Sequence, residues 1–80
     1  MRARVYVTLK PGVLDPAGKA VESSLHTLGY SEVGEVRLGK FVELEVTGTD
    51  SAAAKARLEQ MAAKVLANMV VENFRVEMLP

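Results

Sequence analysis

Between Ala3 and Lys10 the apolar residues fall on every second position: Ala3, Val5, Val7 and Leu9, with Arg4, Tyr6, Thr8 and Lys10 between them. A period of two puts the first set on one face of a β-strand and the second on the other. The period then lengthens. Ala17, Ala20, Val21, Leu25 and Leu28 recur at three and four, the stripe of an amphipathic helix. Period two returns at Glu35–Leu38 and at Phe41–Val46, with Gly39-Lys40 placed as a hairpin corner between them. A second helical stripe follows in Ala54, Leu58, Met61, Ala62, Val65 and Leu66, and Asn73–Met78 alternates again, burying Phe74, Val76 and Met78. The predicted order is therefore βαββαβ in an α+β domain. Its simplest packing lays two helices on one face of a four-stranded antiparallel sheet, the ferredoxin-like or split βαβ arrangement.

The helix ends carry their own signals. Asp15-Pro16 reads as an N-cap and first helical residue, because the carboxylate accepts orphan N–H groups where proline has none to leave unpaired. Gly29 supplies a left-handed stop, Thr49 or Asp50 a second cap, and Asn68 a second terminator.

An 80-residue chain makes one domain, residues 1–80. A domain of this size buries only about 60% of the surface its unfolded chain exposes, which favours a homo-oligomer. Ten basic and ten acidic residues cancel, so nothing in the net charge favours nucleic acid or an anionic membrane. No cysteine is present for a disulfide or thiolate metal site, and no apolar run reaches the ~20 residues of a membrane span. A cytoplasmic location is expected.

Leu9–Lys19 looks at first like a phosphate-cradling loop, but Gly12 and Gly18 are spaced wrongly for that motif and Ala20 stands where a hydroxyl would reach magnesium. The loop instead turns the chain, at Pro11-Gly12 and again at Asp15-Pro16. Two apolar residues at its tip need an explanation. Leu14, next to the cap, is placed to fold back on the helix as a hydrophobic staple, and Val13 to meet a partner protein. Lys10, Pro11, Gly12, Val13, Leu14 and Asp15 are accordingly the expected partner-binding residues.

No catalytic constellation is visible. His26 is the single histidine, and Glu43 with Glu45 is the spacing that any polar strand face produces. An acylphosphatase would need an arginine in Pro11–Ala17, which has none. On the uncovered sheet face Tyr6 and Phe41 could stack on RNA bases, yet Glu43, Glu45 and Glu77 would repel the phosphates. Tyr6, Arg37, Phe41, Glu43 and Glu45 fit self-association better, with ion pairs setting register and rings supplying area.

Taken together, K-P-G-V-L-D-P-A-G-K-A-V at Lys10–Val21, L-G-Y at Leu28–Tyr30, V-R-L-G-K-F-V-E-L-E-V at Val36–Val46 and L-A-N-M-V-V-E-N-F at Leu66–Phe74 resemble the PurS family, the small subunit of phosphoribosylformylglycinamidine synthase. Met69 stands where that family usually has proline. The resemblance implies a non-catalytic, cytoplasmic subunit of a glutamine-dependent C–N ligase in purine biosynthesis, without catalytic, cofactor or metal residues of its own. It further implies that a PurL synthetase uses ATP and Mg, that a PurQ glutaminase releases ammonia, and that a dimer or tetramer of the small subunit bridges the two and supports ammonia transfer. A ligand-sensing module like the ACT domains, dimeric and of the same βαββαβ order, is the alternative.

Overall fold

The computed structural model describes all residues, Met1–Pro80. The chain runs β1 (Arg2–Leu9), α1 (Pro16–Thr27), β2 (Gly39–Glu45), α2 (Ser51–Met61) and β3 (Glu72–Met78). α2 continues into a π turn at Ala62–Leu66. The sheet has three strands in the order β2-β1-β3, all antiparallel. β1 is central, with Val5 opposite both Val42 and Val76, and Tyr6 opposite both Phe41 and Arg75.

The core forms where the period-two faces meet α2. Ala3, Val5, Val7, Val76, Leu58, Ala62 and Ala67 are buried together, with Val42, Leu44, Phe74 and Met78 packed around them. Leu58 is the fully buried contribution of α2, and an isobutyl group removed from water there stabilises by about 1.5–3 kcal/mol. Asp50 caps the start of α2 by accepting from the Ala53 N–H at 3.2 Å.

The expected fourth strand does not form. Gly39 is not a hairpin corner; it pairs with Thr8 inside the ladder, where a Cβ would strike the Val7 carbonyl. Residues 35–38 run straight into β2, so no turn exists to fold them back onto its free outer edge. Their backbone groups find side chains instead: the Val36 N–H donates to Glu22 Oε1 at 3.3 Å and the Leu38 N–H to Asp15 Oδ2 at 2.8 Å.

The second correction concerns α1. Only α2 packs closely on the sheet; Gly18 is the one fully buried residue of α1, and no strand makes an extensive contact with that helix. What α1 touches is the segment that returns from it. Gly18 sits so close to the Val36 carbonyl that a Cβ would collide with it, and His26 Nε2 lies 2.7 Å from the Val33 carbonyl. Pro11–Leu38 is thus an arm standing off the sheet. The Cα radius of gyration is 15.9 Å, against about 12 Å for a compact chain of this length, and the extents are 49 × 27 × 14 Å.

A third difference lies at the end of α2. Asn68 does not adopt the left-handed conformation, which only Gly12, Gly29 and Gly48 do. The helix ends earlier, through the π turn, where the Ala67 N–H donates to the Ala62 carbonyl at 2.8 Å. A π turn holds one residue more than an α turn, so every later side chain is rotated off the expected stripe. Ala67 becomes buried, while Val65, predicted to be core, is 81% exposed. Asn68 instead organises the next turn, its side chain accepting from the Val70 N–H at 3.1 Å.

Candidate assembly surfaces

Three surfaces carry residues that the fold itself does not use. The first is the loop Lys10–Asp15. Gly12, at φ +86°, makes the turn that L side chains resist, and the Val13 N–H closes it on the Lys10 carbonyl at 3.1 Å. Asp15 is buried and closes the far end, its two oxygens accepting from the Gly18 and Leu38 N–H groups, each at 2.8 Å. One carboxylate therefore caps α1 and pins the returning segment. Val13 is half-buried, whereas Leu14 is 71% exposed, so the expected staple is not made and Leu14 is the freer of the two for a partner. A shallow hollow of about 380 Å³ lies between this loop and residues 35–37.

The Gly18 N–H, then the Leu38 N–H, and more weakly the Arg37 charge hold the Asp15 carboxyl below its ordinary value of 3.8, against the opposing effect of burial. A depressed native value means that the unfolded chain takes up this proton first as pH falls. The stabilisation is complete above the ordinary carboxylate range and is lost as pH drops through the lower native value. Urea unfolding from pH 7 to pH 2 is expected to show wild type more stable than Asp15→Asn by a constant margin above about pH 5, shrinking below pH 4. A margin independent of pH would contradict this role.

The second surface is the uncovered sheet face. Tyr6 and Phe41 meet at 5.3 Å between centroids with planes tilted by 51°, and the Arg75 guanidinium lies 4.2 Å over the Tyr6 ring. Arg2 lies within 3.7 Å of Glu43 and 3.5 Å of Glu45, and Arg4 within 3.7 Å of Glu43 and 3.6 Å of Glu77. These pairs are exposed and each stabilises little. Their effect is to interleave the signs, so the face offers no continuous track for a phosphate backbone. Tyr6, Phe41, Glu43 and Glu45 come together as expected. Arg37 does not: it lies past the end of the sheet and reaches into the first loop.

The third surface was missed by the period reading. Along α1, Ala17, Ala20, Val21 and Leu28 are exposed, Leu28 by 73%. On the sheet, a hollow of about 380 Å³ opens between the end of β2 at Glu45–Thr47 and Ala54, Arg57 and Met61 of α2. No signal in the sequence could have separated the two cases, since a helix that packs on its own sheet and one that packs on another chain carry the same stripe.

No three His, Asp or Glu residues converge to hold a metal. His26 has no carboxylate partner, and its Nε2 faces a carbonyl. No helix is long and apolar enough to cross a membrane.

Residues 2–80 match the family model described as PurS: Phosphoribosylformylglycinamidine (FGAM) synthase. The phosphoribosylformylglycinamidine synthase subunit PurS of Synechocystis sp. is 51% identical over 74 residues, covering 92% of this chain and 74% of that protein. The Bacillus subtilis subunit of the same name is 43% identical over 76 residues, covering 95% and 89%. Among solved structures, B. subtilis PurS in a C2 crystal form superposes with a TM-score of 0.84 at 43% identity, covering 95% of this chain and 94% of that one. A chain in the structure of PurLQS from Thermotoga maritima gives 0.89 at 29% identity, covering 98% and 95%.

Proposed function

The chain belongs to the PurS family of phosphoribosylformylglycinamidine synthase, and from that membership we propose that it is the assembly subunit joining a PurL synthetase to a PurQ glutaminase. One observation carries the reading: the whole chain folds as a chain of a PurLQS complex does, and it leaves three surfaces with exposed apolar residues uncovered. ATP and Mg then belong to the synthetase and glutamine to the glutaminase. This single domain of residues 1–80 acts in the cytoplasm by holding their sites in one particle. Ammonia released inside such a particle is delivered at a high effective concentration rather than diluted into solvent.

The uncovered surfaces sort by task. Lys10–Asp15, with Val13 and Leu14 foremost, docks the synthetase. The α1 face docks a second copy of the chain. A helix of 12 residues is about 18 Å long, short enough to lie along a seven-residue strand of about 23 Å, so α1 of one copy fits beside α2 on the sheet of the other. Exchange between copies restores the layer of two helices that the period pattern calls for, through a self-complementary interface. The Tyr6–Phe41 face can join two such dimers into a tetramer. The ligand-sensing alternative drew on a βαββαβ order and the glycine-bearing Leu9–Lys19 loop, and the order here is βαβαβ.

Co-purification tests the reading. The chain, PurL and PurQ, mixed with glutamine and ADP, are expected to leave a sizing column in one peak. Elution of this chain apart from both others, at concentrations where each is folded, would contradict it.

A further inference from the structure

Arg37 is not on the sheet face, and where it goes is informative. Its guanidinium collects three backbone carbonyls, one at the end of β1 and two in the first loop: Nη2 donates to Leu9 at 3.3 Å and Lys10 at 3.1 Å, and Nη1 to Val13 at 3.1 Å. Nη1 also lies 3.4 Å from Glu35 Oε1, which holds the head group in place. Asp15 works in the opposite direction, accepting the Leu38 N–H. Loop and returning segment are therefore cross-linked twice, by a loop carboxylate and by an arginine from the segment.

We propose that Arg37 is a positioning residue for partner docking: it fixes the Lys10–Leu14 loop in one shape before the synthetase arrives. The inference rests on the reading that this loop meets PurL. None of the seven core residues belongs to the loop, and Leu14 is exposed, so polar bonds rather than packing set its shape. A planar fork of five donors suits three diverging carbonyls in a way that a lysine ammonium or a glutamine amide does not. Without it the loop samples many conformations, and the ordering cost falls on the binding step instead.

Wild type, Arg37→Gln and Arg37→Lys are to be titrated into PurL and PurQ, reading glutamine-dependent turnover against subunit concentration. Thermal unfolding, particle mass and amide exchange of the Val13 N–H are followed in parallel. Arg37→Gln is expected to raise the half-saturating concentration about tenfold, leave turnover at saturation unchanged, and speed Val13 exchange. Mass should stay the same and Tm should hold within about 3 °C. Arg37→Lys keeps the charge without the fork and is expected to recover only part of the affinity. An unchanged half-saturation, a lowered maximum, a collapsed Tm, or a lysine variant equal to wild type would each overturn the inference. Val13→Asp with Leu14→Asp separates the two levels. If that variant is defective and Arg37→Gln is not, only the positioning role fails; if that variant too is normal, the docking reading fails and takes this one with it.

Discussion

Val21→Asp combined with Leu28→Gln is expected to reduce the oligomer to a monomer across the micromolar range. Leu28 is 73% exposed and Val21 37% exposed in the single chain, and neither belongs to its buried core, so the monomer loses little. In a dimer with exchanged arms, the new carboxylate would lie against the apolar sheet face of the other copy, and glutamine would leave an amide there without partners. Burying an uncompensated carboxylate costs several kcal/mol, and each 1.4 kcal/mol is tenfold in the association constant. Self-association should therefore weaken at least a hundredfold. Sedimentation would show half the mass or less with helix content kept, and Tm should lose its dependence on protein concentration. An unaltered mass would place the subunit contact elsewhere, with the Tyr6–Phe41 face the next surface to test.

The second large effect concerns the synthetase. Val13→Asp with Leu14→Asp puts two carboxylates at the loop tip, where the single chain has one half-buried and one exposed apolar side chain. The buried core lies outside this loop, so unfolding stability should change by no more than about 1 kcal/mol. Binding to PurL should fall by about a hundredfold or more, because each charge must be desolvated at the interface. The pair of results is what discriminates. Lost binding with retained stability assigns these residues to a partner; lost stability would assign them to the core.

How far the sequence carried can be read from single residues. Val5, Val7 and Val76 lie where period two places them, because a strand face is buried or exposed as a whole once one side meets a helix. Asp15, Pro16 and Gly29 mark the ends of α1 as expected, since caps act within one turn and need nothing distant. The failures are all non-local. Glu35–Leu38 alternates like a strand, but no turn folds it back beside β2, and Glu22 and Asp15 take up the Val36 and Leu38 N–H groups. Val65 is misplaced because it lies within the π turn at Ala62–Leu66, which shifts the phase, and alanine-rich sequence announces no such turn. Arg37 reads as a surface charge because its three acceptors are backbone carbonyls, which have no residue type to reveal them. The loop's turns were legible in the sequence; the arginine that bonds its carbonyls was not.

The most direct test of the assembly role is glutamine-dependent formation of the amidine by PurL and PurQ, measured with and without this chain and beside the chain alone. The account predicts little turnover from the two partners by themselves, a large rise that saturates as the chain is added, and none from the chain in isolation. Full activity without it, or turnover by the isolated chain abolished by a point substitution within it, would contradict the claim that these residues assemble an enzyme whose chemistry lies elsewhere.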